Sequence, residues 1–365
     1  MQRLLLSFVL LLLYSRCGMT AAEVAPTCGW ACGGNQTAPG SLNSSLVEEL
    51  ARGVGGAYLQ SLLWLSQQRM FAFPAHDNLT LQGYELLPEL LPDSTPSSND
   101  VVLIYCAGWT ETTLKYAGFL QDLVSKRGLA VYSFDFRGQG FSANTGYDLG
   151  RFTHVHAFDE YVQDLALFAR MVADRHPQQR LVYVGNSLSG LVGLATELRH
   201  PGIFARLVVA APVIKPSATL NPLIRYALKW AHGLGFGARL LARLDSDIAG
   251  LKLTHNLDIF AGWRKMREVR PAELVVQGPS LAWMTELTEQ GHAVLAHAGD
   301  MRVPLLIFVA SFDLFVDNPS IYEFANAYGA AVKVVKFNDS WHELYTEEPR
   351  VYDALMSELD AFLRE

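Results

Sequence analysis

Apolar positions along the chain follow two alternating rhythms. Short continuous apolar and β-branched runs occupy residues 101–106, 129–136, 181–185, 207–211, 304–310 and 331–337. Each has the length of a strand, and the run at 101–106 is unbroken by polar residues, as expected where both faces of a strand are buried. Between them lie stretches with helical spacing at residues 115–126, 159–175, 188–199 and 352–363. Another strand is predicted at 79–87, and a helical pattern at 46–68. This strand–helix alternation predicts an α/β fold with a mostly parallel sheet covered by helices on both faces. One stretch breaks the rhythm. Residues 216–300 carry helix-like segments and no convincing strand, so they read as a helical cap inserted between two strands. The core is then expected at 69–215 and 301–365, after a linker and N-terminal helix at 23–68.

The first residues have the pattern of a targeting segment. Arg3 precedes an apolar run at residues 4–14, followed by Thr20-Ala21-Ala22. Such a run is too short to span a bilayer comfortably and matches the apolar part of a secretory signal. Residues 1–22 are therefore expected to be a signal peptide directing export. Cys17 does not make a lipoprotein signal, because Arg16 stands where a small residue is needed. In an exported chain Cys28 and Cys32 are close enough to pair. Cys106 lies in an apolar run and is expected to be an inert core thiol. Asn35, Asn43 and Asn78 open glycosylation sequons that count only in a eukaryotic host.

The 365 residues are half hydrophobic and 18 % charged, enough for a large buried core. The net charge of −7 and the scatter of Lys and Arg argue against a nucleic-acid partner, which requires a basic stripe. The short run Arg264-Lys265-Met266-Arg267 reads as a solvated helix face.

The strongest chemical signal is Gly185-Asn186-Ser187-Leu188-Ser189-Gly190, between a buried strand and a helix. A serine at such a turn is held in a strained conformation that exposes its hydroxyl. Ser187 is the expected nucleophile. Chain order then asks for an acid and, last, a histidine. His342 follows the final strand and is the expected base. Asp313 and Asp317 both follow the preceding strand; Asp313, nearer the strand end, is favoured, with Asp317 bracing the loop. An oxyanion hole needs two converging amides. Leu188, behind the nucleophile, and Trp109, after the strand at 101–106, are expected to supply them. No metal or organic cofactor is required. His154 and His156 form a His-x-His without companion ligands and are expected to be structural, beside the loop at 135–142.

Several motifs resemble the lysophospholipase and monoglyceride-lipase branch of the α/β-hydrolases, from about residue 70 to the C-terminus. Asp135-Phe-Arg137-Gly138-Gln139-Gly140-Phe-Ser142 is similar to that branch's Asp-x-Arg-Gly-His/Gln-Gly-x-Ser loop. Phe158-Asp-Glu-Tyr161 through Asp164 resembles its helix before the elbow, and the elbow itself stands where Gly-His-Ser-Met-Gly-Gly is usual. His200-Pro201 and Ala211-Pro212 also match. The oxyanion loop from Ala107 to Tyr116, Leu253-Thr254-His255, Gly278-Pro279-Ser280-x-x-Trp283 and Val316-Asp317-Asn318 resemble bacterial membrane-associated lysophospholipases. The resemblance implies Asp313 as acid and His342 as base.

Together these features predict a serine carboxylic-ester hydrolase that releases a fatty acid from a single-chain lipid ester, a lysophospholipid, through an acyl-enzyme. Monoacylglycerol lipase or general carboxylesterase activity is the nearest alternative, followed by a serine aminopeptidase or a non-catalytic hydrolase-like binding protein. Epoxide hydrolases and dehalogenases need Asp where Ser187 stands. The cap is rich in apolar residues, including Tyr226, Leu228, Trp230 and Leu234. Part of it is expected to face the cleft or a membrane, with Trp230 and Trp283 touching the substrate.

Overall fold

The computed structural model describes residues 43–52, 54–88, 100–144, 152–217, 222–239, 241 and 253–365. The signal-like segment, Cys17, Cys28, Cys32 and Asn35 lie outside them. Eight strands form one sheet: β1 (Arg69–Pro74), β2 (Thr80–Leu86), β3 (Val101–Cys106), β4 (Ala130–Phe134), β5 (Arg180–Asn186), β6 (Arg206–Ala210), β7 (Leu305–Ala310) and β8 (Val332–Phe337). Their order is β1-β2-β4-β3-β5-β6-β7-β8. β2 runs antiparallel to β1 and β4, and every later pair is parallel.

Ten helices matter here: α1 (Ser44–Ala51), α2 (Gly56–Ser66), α3 (Ala117–Gln121), α4 (Asp159–Arg175), α5 (Leu188–Arg199), α6 (Pro222–Ala231), α7 (Leu257–Val269), α8 (Leu281–Ala296), α9 (Asn318–Tyr328) and α10 (Pro349–Arg364). They cover both faces of the sheet, and the central strands divide their side chains between two cores. Val102, Ile104, Tyr183 and Val209 point into one core with residues of α4, α5 and α9. Leu103, Tyr105, Val184 and Phe308 point into the other with α1, α2, α3 and α10. This two-residue alternation explains the continuous apolar runs, since neither neighbour of any residue faces water.

Three expectations change. β1 was not predicted: it is an edge strand with one paired side, its residues are mostly exposed or half-buried, and it lacks the apolar run of the inner strands. The helical pattern at 46–68 is two helices, α1 and α2, with Gly55 at the start of the second. Both pack into the second core, through Val47, Leu50, Leu62 and Leu65. Tyr58 of α2 donates to the Leu114 carbonyl at 3.1 Å. The helical stretch at 115–126 is also irregular, with a tight turn at Thr113–Tyr116 before α3 and a wide one at Asp122–Lys126 after it.

Between β6 and β7 the described residues form helices and connecting loops, with single-residue bridges and no strand. α7 lies so close to α2 that a Cβ at Gly262 would sit 2.4 Å from the Tyr58 ring. Asn43 caps α1, its side chain accepting from the Leu46 amide at 3.0 Å. Cys106 is fully buried, and burial pushes its thiol far above the ordinary range, so it is chemically quiet.

Candidate active site

β5 ends at Asn186, and α5 begins at Leu188. The residue between them, Ser187, has φ 53° and ψ −114°, a conformation that costs a non-glycine residue about 1–3 kcal/mol. Neighbouring strands hold it there. The Ser187 amide donates to Ala210 of β6 at 2.9 Å, and its carbonyl accepts from Val213 at 3.2 Å. The small flanking residues are required by close packing. A Cβ at Gly185 would lie 2.9 Å from Ser189 Oγ, and one at Gly190 3.0 Å from Pro212 Cβ. Ser189, where a glycine is usual, has its own place: Oγ accepts from the Asn186 amide at 2.7 Å and donates to the Cys106 carbonyl at 2.7 Å. The hydroxyl is buried and satisfied, so the substitution ties the elbow to β3.

Asp313 and His342 meet beyond the ends of β7 and β8. His342 Nδ1 lies 2.7 Å from Asp313 Oδ2, and the other carboxylate oxygen accepts from the Phe315 and Val316 amides at 2.8 and 3.0 Å. Burial alone would raise the Asp313 pKa. The imidazole charge and hydrogen bond, with the two amides, outweigh it and hold the carboxyl below its ordinary value. Burial likewise opposes charging of His342, but Asp313 prevails and raises the imidazole above its usual value. Asp317 instead caps α9, accepting from the Ser320 amide at 3.1 Å.

Ser187 and His342 line one cavity of about 200 Å³. Trp109, Leu188 and Trp283 line it as well. Among the described residues, neither the Trp109 nor the Leu188 amide makes a hydrogen bond within the protein. Trp109 sits between two amides that are both occupied: Gly108 donates to Glu111 Oε2 at 3.0 Å and Thr110 to Gln139 Oε1 at 2.5 Å. The Asp135–Ser142 loop thereby shapes the loop after β3. Buried Asp135 reinforces this by accepting from the Thr113 amide and the Thr112 hydroxyl, both at 2.9 Å.

The Trp109 and Trp283 rings stack with centroids 4.6 Å apart. Trp283 Nε1 donates to Tyr161 Oη at 3.0 Å, and Trp109 Nε1 to Thr153 Oγ1 at 2.6 Å. Trp230 is a correction. It is 62 % exposed and does not line the cavity. α6 faces inward through Leu228, which packs on Leu281, and two residues further the helix has turned Trp230 to the opposite side. His154 is buried and lies 2.9 Å from the Ser280 hydroxyl at the start of α8. Burial pushes its pKa down to about 4.

The sequence reading missed a buried polar set beside the cavity. Lys115 Nζ donates to Glu111 Oε1 at 2.7 Å and also to Glu343, the residue after His342. Tyr116 Oη donates to Glu111 Oε2 at 2.7 Å and accepts from Asn186 Nδ2 at 3.0 Å, while Tyr105 Oη donates to Asn186 Oδ1 at 3.2 Å. Asn186, where histidine is usual, thus joins the elbow to the loop after β3. Burial raises the Glu343 pKa, and repulsion from Glu111 adds to it against the pull of Lys115. Removing one member of such a set typically costs about 3–5 kcal/mol, because a charge is left buried without its partner. Lys115, the one charged residue between Thr112 and Gln121, was the available signal.

An eight-stranded, mostly parallel sheet with a strained serine elbow and a His–Asp pair on adjoining loops defines a serine hydrolase of the α/β-hydrolase fold. The chain belongs to the family described as Serine aminopeptidase, S33, whose model matches residues 97–349. It is similar to lysophospholipase L2 of Escherichia coli, 28 % identical over 306 residues that cover 79 % of this chain and 88 % of the relative. It is also similar to a monoacylglycerol lipase of Mycolicibacterium smegmatis, 26 % identical over 43 % of this chain and 52 % of that one. A solved soluble variant of monoglyceride lipase from Saccharomyces cerevisiae, in complex with a substrate analog, shares the fold with a TM-score of 0.64. It is 16 % identical over 81 % of this chain and 94 % of that chain.

Proposed function

We propose that the protein hydrolyses the ester bond of a single-chain lipid, a lysophospholipid, through an acyl-enzyme. The observation that carries the reading is the strained Ser187 sharing a largely apolar cavity with a His342 already paired to Asp313. Ser187 Oγ attacks the ester carbonyl, and His342 takes its proton. Asp313 stabilises the imidazolium that forms, and the Trp109 and Leu188 amides receive the oxyanion. His342 returns the proton to the leaving alcohol. Water, activated by the same histidine, then releases the fatty acid. The likeness to lysophospholipase L2 supports the substrate class.

The test sets 1-acyl lysophosphatidylcholine beside a monoacylglycerol of the same chain. The purified protein releases fatty acid from both, with the higher kcat/KM on the lysophospholipid, and a fluorophosphonate probe modifies the Ser187 peptide. Lack of release from either lipid, or modification elsewhere, refutes the reading.

The same reading includes peripheral contact with a membrane. Tyr226, Trp230 and Leu234 recur every four residues from α6 onward and are mostly exposed, as are Phe312 and Leu314 on either side of Asp313. Large apolar side chains gathered on an outer face favour lipid contact. Trp230→Asp is expected to reduce cosedimentation with phospholipid vesicles several-fold; unchanged binding would count against this face. Export is part of the proposal too, supported by the pattern at residues 1–22, and a mature protein still beginning at Met1 would exclude cleavage there.

A further inference from the structure

A buried side chain grips the oxyanion loop from behind. Gln139 belongs to the loop at 135–142 and does not line the cavity, whereas Trp109, Thr110 and Glu111 do. Its side-chain amide meets the backbone on both sides of Trp109. Oε1 accepts from the Thr110 amide at 2.5 Å, and Nε2 donates to the Gly108 carbonyl at 3.3 Å. A primary amide suits this place because one of its arms accepts and the other donates.

The consequence falls on the peptide between Gly108 and Trp109. Its carbonyl and its N–H lie in one plane and, being trans, point in opposite directions. Holding the carbonyl on Gln139 therefore turns the Trp109 N–H away from Gln139. The nucleophile is close by: a Cβ on Gly108 would lie 3.3 Å from Ser187 Cβ. The next residue, Thr110, has φ 66°, in the left-handed region that a β-branched residue rarely adopts. The bond from its amide to Gln139 opposes relaxation of that strained backbone. Gln139 is itself firmly seated. Its backbone amide donates to the Phe136 carbonyl at 3.0 Å, and its carbonyl accepts from the Ser142 amide at 3.1 Å. Asp135, at the head of the same loop, accepts from the Phe141 amide at 3.0 Å and from Thr112 and Thr113 of the oxyanion loop.

We propose that Gln139 is a positioning residue of the oxyanion hole, clamping the Gly108–Thr110 segment so that the Trp109 N–H faces the developing oxyanion. The inference rests on the acyl-enzyme reading above and names the side chain that pre-organises one of its two donors. Acyl-chain binding rests instead on the apolar wall of the cavity, with Val213, Trp283, Leu287 and Val316, which Gln139 does not join. Losing the clamp therefore weakens binding of the transition state and spares the ground state.

The test is Gln139→Met, similar in length and without the amide, in the full chain. kcat on a short p-nitrophenyl ester falls about 10²-fold, as on loss of an oxyanion donor, while KM stays within about threefold of wild type. A trifluoromethyl ketone of matching chain length reads the oxyanion directly. Ser187 Oγ bonds to its carbonyl carbon, the carbonyl π pair becomes the oxyanion, and the hydroxyl proton passes to His342. Its Ki rises by about the same factor as kcat/KM falls. Neither Ki nor KM depends on the fraction of molecules folded, so a merely structural role, which lowers the amount of active enzyme, moves neither. Should the methionine variant not fold, Gln139→Asn serves in its place: it keeps the amide but is one methylene too short to reach both partners, and the same split between kcat and KM is expected with the same rise in Ki. An unmoved Ki in a folded variant overturns the proposal, whatever the loss of rate, and so does a rise in KM that accounts for the whole loss of kcat/KM. Wild-type protein inert toward both ester and ketone signals failure of the acyl-enzyme reading itself, a result distinct from an active, inhibitable enzyme indifferent to Gln139.

Discussion

Ser187→Ala lowers kcat on a short p-nitrophenyl ester by about 10⁵- to 10⁶-fold, because it removes the atom that forms the acyl-enzyme and the base has no other nucleophile in place. The fold survives the change. Alanine keeps the Cβ, so the backbone at φ 53° is strained as before, and the Ser187 amide and carbonyl still bond to Ala210 and Val213. A thermal melt should therefore show a transition within a few degrees of the wild type. Residual rate above the uncatalysed reaction is expected, since the Trp109 and Leu188 amides and the apolar wall remain. Activity at the wild-type rate in a folded Ser187→Ala protein would exclude Ser187 as nucleophile.

The parts of the fold that could be read from the chain share one physical property: their signals are local. β3, β5, β6 and β7 are buried on both faces, so their sequences are unbroken apolar runs. The elbow was visible because its small residues are dictated by contacts within a strand–turn–helix unit. Asp313 and His342 were reached through strand order, which places loops from successive parallel strands on one edge of the sheet. What could not be read depends on partners distant in sequence or on helix phase. β1 pairs on one side only. Lys115 meets Glu343 across 228 positions, and no local pattern announces that contact. Trp230 and Arg267 both lie on amphipathic helices of the inserted region, where an error in which face points inward reverses the role. Trp230 was expected at the substrate and faces outward; Arg267 was expected in solvent and lines the cavity.

Asp313→Asn is expected to lower kcat by about 10⁴-fold while leaving KM nearly unchanged. The amide can occupy the same site and accept from Phe315 and Val316 through its oxygen. It then presents its NH₂ to His342 Nδ1, which disfavours the tautomer that leaves Nε2 free to take a proton. The pH profile separates this from a general loss of packing. The neutral imidazole is the active base, and Asp313 holds its pKa above the ordinary value of about 6.5, so wild-type kcat/KM should fall on the acid side with a midpoint above that value. Burial alone pulls the imidazole the other way. Without the carboxylate the midpoint should move to lower pH, even as the plateau drops. Glu343 and Glu111 also raise the His342 pKa, so the shift should be partial. A plateau lowered 10⁴-fold with an unmoved acid limb would mean that Asp313 orients His342 without stabilising its charge. A plateau within about tenfold of wild type would remove Asp313 from the mechanism. Asp317, whose carboxylate is occupied in capping α9, would not be expected to take its place.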